Sequence, residues 1–351
     1  MNNLKEHYQK HEGKSSDKWD IYLSTYDDFL QQQKSSVSSI LEIGVQNGGS
    51  LEIWSKYFPS VEKLIGCDIN PKCKDLDFQH PGIKVVIGDS STLKTKNEIT
   101  SLSSSFDLII DDGSHMSSDI IKSFLLYFPL VEEGGIYIIE DLHASYWREF
   151  EGGLLYPYSS MAYLKKLADV PNKEHWGITL SESEYLSPFY DFYDCKNFDA
   201  VNYSQIHSVT FVNSLCIIKK KAAAENALGV RNLAGNLFDV YSNHKDTAGL
   251  TINVPSQNKH NWSRLKKSPE FEWADLMLKQ PDAGDENISL SDALQRADKI
   301  NVERFNSLQN DLLAKDKLIL QLTNRNEALL NSTSWRITKP LRALMTKIRG
   351  K

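Results

Sequence analysis

The chain contains no run of about 18 apolar residues, the length that crosses a bilayer, so its 351 residues predict no membrane span. Its first residues, MNNLKEHYQKHEGKSSDKW, lack the apolar core of a secretion signal, which predicts a cytoplasmic location. Cysteine is scarce. Cys67, Cys73, Cys195 and Cys216 show no CxxC spacing and suggest neither a disulfide framework nor a zinc site. Cys67 and Cys216 fall inside apolar runs, as small core residues do. A basic excess is also missing, because 40 Lys and Arg face 46 Asp and Glu; nucleic acid is not an expected partner. The GxGxxG pattern is absent, which argues against a nicotinamide or flavin cofactor. The length allows one large domain with an accessory segment, or two modest domains.

What is present centres on FDLIIDDGSHMSSDIIKSFLLYFPLVEEGGIYIIEDLHASYW, residues 106–147. Phe106 to Ile110, apolar but for Asp107, and Ile136 to Ile139 are short apolar runs, the pattern of parallel strands covered on both faces. Between them Ile120, Ile121, Phe124, Leu125, Phe128 and Leu130 recur at helical spacing, and a Gly-Gly break follows. Strand, crossover helix and strand make a right-handed parallel unit, and ligands of such sheets gather beyond the strands' carboxyl ends. That edge receives Asp111, Asp112 and His115 from one turn and Glu140, Asp141 and His143 from the next. Carboxylate with imidazole at two adjacent strand ends points to a hard divalent cation with a base beside it. Helix capping by Asp and Ser explains one such turn more readily than two.

Earlier strands lead to the same edge. Ile40 to Val45 reads as the first strand and runs through QNGGS into a helical segment with Leu51, Ile53, Trp54, Tyr57 and Phe58. Gly44, Gly48 and Gly49 fit a tight turn that lets a nucleoside with an amino-acid arm approach the backbone. The second strand, Lys63 to Ile69, places Asp68 about 20 residues past that turn, where a carboxylate accepts from ribose hydroxyls. The third, Ile83 to Ile87, ends in GDSS, placing Asp89 and Ser90 where an adenine amino group would lie. A hairpin of Gln205 to Phe211 and Ser214 to Lys220, turning at Val212-Asn213, completes the sheet near residue 221. The expected architecture is α/β, a doubly wound, seven-stranded, mostly parallel sheet over residues 1–221.

The flanks carry further expectations. Tyr22, Tyr26, Phe29 and Leu30 share one helical face that either packs on the sheet or crosses the cofactor cleft, with Lys18 and Tyr22 bordering a pocket. Residues 151–204 read as an insertion over the mouth of the site. Tyr146, Trp147, Tyr156, Tyr158, Trp176 and Tyr190 there either stack on a sugar or form a satellite cluster. Residues 222–287 read as a polar linker with a short helix around Phe271 to Leu278. In 288–332 Phe305, Leu308, Leu312, Ile319, Leu322 and Leu329 alternate by threes and fours, with Lys315 and Asn326 at core places. That describes a short coiled coil, which predicts a homo-oligomer, with a single helix lying on the main domain as the alternative. Residues 333–351 form a basic amphipathic tail, the pattern of a peripheral membrane tether or a docking helix.

In order, LEIGVQNGGS, GCDINP, GDSS, DDGSH and EDLHASYW resemble a class I S-adenosylmethionine-dependent methyltransferase. More narrowly, they are similar to the metal-dependent sugar O-methyltransferases of macrolide biosynthesis and the neighbouring cephalosporin-hydroxylase-like group. The resemblance covers roughly residues 10–221. It implies a Rossmann-like methyltransferase fold, followed here by the coiled-coil extension. It also implies that Gly44, Gly48 and Asp68 hold the methionine arm and ribose, that Glu42 supports the turn, and that Asp89 and Ser90 border the adenine. Asp112 and Asp141 match the family's magnesium ligands, for which manganese is the alternative, and His115 matches its base. The tail SWRITKPLR resembles one found on bacterial polysaccharide glycosyltransferases and related enzymes. It implies contact with such an enzyme or with the inner face of the membrane, and a surface polysaccharide or glycosylated metabolite as acceptor. The competing expectations are an iron-dependent hydroxylase using the same carboxylates and His115, and a non-catalytic coiled-coil scaffold. A nucleic-acid methyltransferase is disfavoured, since no NPPY-like motif occurs.

Overall fold

Runs rich in apolar residues become the strands β1 (Ser39–Ile43), β2 (Lys63–Asp68), β3 (Ile83–Ile87), β4 (Phe106–Asp111) and β5 (Val131–Ile139), the central ones buried on both faces. A closing hairpin adds β6 (Ile206–Val212) and β7 (Leu215–Lys220). The computed structural model describes residues 3–265 and 268–278, with the isolated helical positions Lys315, Lys317, Ile319, Gln321 and Leu322. The strand order is β3-β2-β1-β4-β5-β7-β6, parallel throughout except that β7 runs antiparallel to β5 and β6. This is the expected doubly wound, seven-stranded arrangement.

The α-helices with these ranges are α1 (Leu4–Gln9), α2 (Asp20–Leu30), α3 (Gly49–Tyr57), α4 (Leu93–Leu102), α5 (Ser117–Tyr127), α6 (Ser160–Leu167), α7 (Glu182–Phe192) and α8 (Pro269–Met277). On one face α1 to α3 bring Leu4, Tyr22, Tyr26, Leu30 and Trp54 against Ile40, Leu108 and Ile138. Tyr22, Tyr26 and Leu30 recur every four residues and are all buried, so the α2 stripe faces the sheet. The Trp54 ring lies 5.2 Å from Tyr26. On the opposite face Phe124 sits 4.9 Å from Phe128 and 5.6 Å from Tyr137.

Register positions the functional edge. Ile43 pairs with Cys67 and with Asp111, and Asp111 pairs with Ile139. The carboxyl ends of four central strands therefore finish level, and the residues that follow them share one rim.

Two local expectations are corrected. The Gly-Gly pair lies inside β5 rather than ahead of it. Phe106 pairs with Val131 but Leu108 pairs with Ile136, so residues 132–135 bulge out, with Gly134 at φ 87° supplying the bend. The hairpin turns at Asn213-Ser214, not Val212-Asn213. Val212 pairs with Leu215, and Ser214 takes φ 66°, a conformation that a β-branched valine resists.

The sheet ends at Lys220, yet the first compact unit spans Met1–Phe271, with the second at Glu272–Lys351. The polar stretch after the sheet is tied back by Gln257 N–H donating to the Gly177 carbonyl at 2.8 Å and by Phe271 against Phe189 at 5.2 Å. The coiled coil of 288–332, apart from the five positions named above, and the tail of 333–351 lie outside the described residues. No described helix is long and apolar enough to cross a membrane.

Candidate functional site

The glycine turn is built around close approach. Gly44 has φ 93° and Gly48 φ 83°; a Cβ on Gly44 would meet the Asp112 carbonyl at 2.0 Å. The turn is therefore pressed against the end of β4. Asp68 fastens it: Oδ2 accepts from the Val45 and Gln46 N–H groups at 2.9 Å each, and Oδ1 from Asn70 N–H at 2.7 Å. A carboxylate offers roughly four acceptor positions, and these three backbone groups with the nearby Cys73 thiol draw on them. Asp68 thus holds the turn as well as bordering the space beside it. Glu42, at the end of β1, is fully buried and accepts from Ser50 Oγ at 2.7 Å and Trp54 Nε1 at 3.1 Å. It ties α3 to the sheet beneath the turn, and burial pushes its carboxyl up to about 7.

Beyond the turn lies a cavity of about 280 Å³ lined by Gly44, Gln46, Asp68, Ile69, Asp89 and Ser90, with Asp112 and Asp119 at one side. Asp89 Oδ1 accepts from Ser91 N–H at 2.8 Å, and the Ser90 carbonyl accepts from Tyr127 Oη at 2.9 Å. Gly48 lies at the head of α3 as its N-cap, next to this cavity but not among its lining residues. Ile69 is 72 % exposed there, an apolar surface suited to a flat ring.

The two acidic turns of β4 and β5 meet at a second cavity of about 320 Å³, lined by Lys18, Tyr22, Gln46, Asp112, His115 and Asp141 together with Asp17, Trp19 and Glu140. Asp112, His115 and Asp141 each offer one ligand atom, and these atoms lie within 4.8 Å of one another. His115 Nε2 is 4.0 Å from Asp112 Oδ1 and 3.7 Å from Asp141 Oδ2. His115 and Asp141 both hold positive φ, 58° and 54°, a conformation costing about 1–3 kcal/mol that persists where surroundings impose it. For Asp141 the surroundings are explicit. Its Oδ1 accepts from Tyr22 Oη at 2.7 Å and Trp19 Nε1 at 3.1 Å, while its N–H donates to Tyr22 Oη at 3.1 Å.

Lys18 enters from the segment before α2. Its ammonium lies 2.5 Å from Asp112 Oδ2 and 2.7 Å from Glu140 Oε1, and Tyr26 Oη donates to the same Glu140 oxygen at 2.5 Å. Burial alone would lower the lysine, but Glu140 and Asp112 outweigh it and hold Lys18 above its usual range. Burial pushes Glu140 up, with Lys18 opposing. One ammonium against the carboxylates of Asp17, Asp112 and Asp141 leaves the cavity negative, a donor set suited to a divalent cation.

Other residues named from the sequence fall elsewhere. Asp111 is buried on the far side of β4, where Tyr137 Oη donates to it at 3.3 Å; alternation along the strand turns it away from Asp112. His143 Nδ1 pairs with Ser214 Oγ at 2.5 Å and lies outside the metal group. The insertion's aromatics divide. Tyr158 stacks on Phe192 at 3.9 Å, and the hydroxyls of Tyr163, Tyr190 and Tyr203 cluster; these form a satellite core. Trp147 stays 49 % exposed, 5.0 Å from His143. Trp176 borders a separate cavity with Tyr185.

Gln46, Ile69 and Trp19 were not anticipated, and the engagement of Lys18, Tyr22 and Tyr26 went further than a pocket border or a core face. An acidic turn announces itself, whereas a lysine in a polar strap has no pattern until the chain brings it across.

No family model matches the chain. Curated relatives include the 8-demethyl-8-alpha-L-rhamnosyl tetracenomycin-C 2'-O-methyltransferase of Streptomyces olivaceus, 32% identical over 164 residues, covering 44% of this chain and 42% of that protein. The Mycinamicin VI 2''-O-methyltransferase of Micromonospora griseorubida is 34% identical over 155 residues, covering 41% of this chain and 38% of that protein. The chain thus spans about two fifths of the length of these curated relatives. Among solved structures, the MycE methyltransferase from the mycinamycin biosynthetic pathway, in complex with Mg and SAH, matches with a TM-score of 0.52 at 25% identity. That match covers 64% of this chain and 56% of that one. The sheet therefore has a Rossmann-like methyltransferase fold, and the chain is related to sugar O-methyltransferases.

Proposed function

We propose that this protein is an S-adenosylmethionine-dependent O-methyltransferase that uses magnesium, or manganese, to methylate a sugar hydroxyl. The observation that carries this reading is the meeting of two differently built cavities. One opens at the glycine turn and the other at the carboxylate-histidine cluster, and both are lined by Asp112 and Gln46. A donor molecule in the first would face an acceptor in the second across that pair.

The residues fit both groups. Positive-φ glycines and acidic strand ends suit a nucleoside with an amino-acid arm, and two converging carboxylates beside an imidazole suit a hard cation with a base next to it. When bound, S-adenosylmethionine supplies an electrophilic methyl and the cation supplies the Lewis acidity that makes a sugar hydroxyl nucleophilic. Asp112 and Asp141 would hold the cation. His115 receives the hydroxyl proton at Nε2, close to both carboxylates. Tyr22 and Trp19 hold Asp141 still, and Asp68 holds the turn that seats the donor. Fixing both reactants in this way contributes much of the acceleration.

The relatives' names favour a glycosylated metabolite as acceptor, while the C-terminal sequence resemblance favours a surface polysaccharide assembled at the cytoplasmic face of the membrane. Self-association through residues 288–332, and a membrane or glycosyltransferase contact through 333–351, complete the reading from sequence pattern. The test is release of S-adenosylhomocysteine with glycosylated acceptors, with and without EDTA. Undiminished turnover in EDTA, or full activity in Asp112→Asn, ends the metal mechanism. An iron-dependent hydroxylase leaves the cavity at the glycine turn without a purpose; calorimetric binding of S-adenosylmethionine separates the two. Binding without turnover on any acceptor favours the scaffold.

A further inference from the structure

Lys18 is a fully buried ammonium that the proposed chemistry does not use. Its side chain is 3 % exposed, and it contacts two carboxylates of different standing. Glu140 is buried and faces inward, bonded by Tyr26. Asp112 is a quarter exposed and offers its other oxygen, Oδ1, toward His115. The carboxylate is thus divided, with Oδ2 on the ammonium and Oδ1 facing the metal group. The arrangement resembles a two-cation site in which a shared carboxylate bridges the positions, one of them filled permanently by Lys18.

We propose that Lys18 is a positioning residue that limits Asp112 to a single oxygen toward the bound cation and so keeps a coordination position open for the acceptor hydroxyl. An Asp carboxylate can meet a divalent cation through one oxygen or both, as it does with calcium. Without the ammonium, Oδ2 is released and both oxygens close on the ion, filling the place the acceptor needs. Removing a positive charge beside the site also strengthens cation binding. The two effects give an opposed signature, with the metal held more tightly and the reaction slower. A lysine with a merely structural role would weaken metal and cofactor binding together.

The inference rests on the metal-assisted reading above, and the experiment separates the two. Mn2+ binding to the full chain is measured by electron paramagnetic resonance, S-adenosylhomocysteine binding by calorimetry, and turnover with a glycosylated acceptor. In Lys18→Met, Mn2+ binding tightens by roughly threefold or more. Its kcat falls roughly tenfold or more, and S-adenosylhomocysteine binding stays within about twofold. Lys18→Arg, whose fork can engage both carboxylates, restores Mn2+ affinity to near the wild-type value. Should Lys18→Met fail to fold, Lys18→Gln removes the charge while keeping a donor, with the same expected directions. Unchanged or weaker Mn2+ binding, or wild-type turnover, in Lys18→Met or its substitute Lys18→Gln overturns the inference. Absence of Mn2+ binding in the wild-type chain overturns the metal reading instead.

Discussion

Gly44→Ala, measured beside Gly134→Ala, isolates the close approach on which the site depends. Both glycines hold nearly the same strained angle, φ 93° and φ 87°. A side chain at either pays the left-handed penalty, about 1–2 kcal/mol. They differ in surroundings. A Cβ at Gly134 meets nothing within 4 Å, whereas one at Gly44 falls 2.0 Å from the Asp112 carbonyl oxygen and 2.7 Å from its carbon. Real Cβ atoms essentially never approach closer than 3.0 Å, so the β4 end or the turn must shift by about 1 Å. Overpacking of that kind costs about 1–3 kcal/mol more. Gly44→Ala should therefore lose about 2–5 kcal/mol of stability and Gly134→Ala about 1–2 kcal/mol, read from urea unfolding midpoints at constant m. The displaced backbone belongs to Asp112, so Gly44→Ala should also lose S-adenosylhomocysteine affinity and turnover, while Gly134→Ala keeps both. Equal destabilisation of the two variants would refute the packing argument. Wild-type turnover in Gly44→Ala would separate the turn from the site altogether.

Two further outcomes follow from the same geometry. Burial pushes Glu42 up to about 7, from an unfolded value near 4.5. The native state therefore keeps a proton that the unfolded chain loses, and this group's contribution falls as pH rises from about 4.5 to 7. Glu42→Gln should flatten that decline by on the order of 3 kcal/mol, seen in urea midpoints across the range; an unchanged slope would show that Glu42 does not titrate there. Tyr22→Phe removes the hydroxyl that donates to Asp141 Oδ1 at 2.7 Å and accepts its N–H at 3.1 Å. A hydrogen bond to a charged group contributes about 1.5–3 kcal/mol, so Mn2+ affinity should weaken by roughly tenfold while S-adenosylhomocysteine binding holds. Unaltered Mn2+ binding would mean that Trp19 alone suffices to hold the carboxylate.

The sheet was legible because two-sided burial writes itself as continuous apolar runs, as in Ile136–Ile139, and because a parallel strand's carboxyl end must leave the core through polar residues. Where reading erred, the cause was local backbone freedom. Gly134 and Gly135 look like a terminator in sequence, but a bulge is an equally good use of a glycine at positive φ. The hairpin turn slipped by one position for a related reason, since Val212 stays in the strand and Ser214 accepts the strained angle. Sequence also names Asp111 and Asp112 together; only alternation along β4 separates the buried partner of Tyr137 from the site carboxylate.

The site's acids were legible, but what holds them was not. Asp141 is held by Tyr22 and Trp19, 119 and 122 positions away, and Asp112 by Lys18, 94 positions away. Such partners follow no period, because the strap that carries them is placed by α2, whose Tyr22–Tyr26–Leu30 stripe packs on the sheet. Tyr22 belongs to both sets: its ring is buried in the core and its hydroxyl reaches the site. The choice between core packing and lying across the cleft was therefore not a true alternative. One amphipathic face does both, and the burial that anchors α2 also delivers Lys18, Trp19 and Tyr22 to the carboxylates. Disrupting that face should then cost metal binding even where no substituted residue touches the metal group.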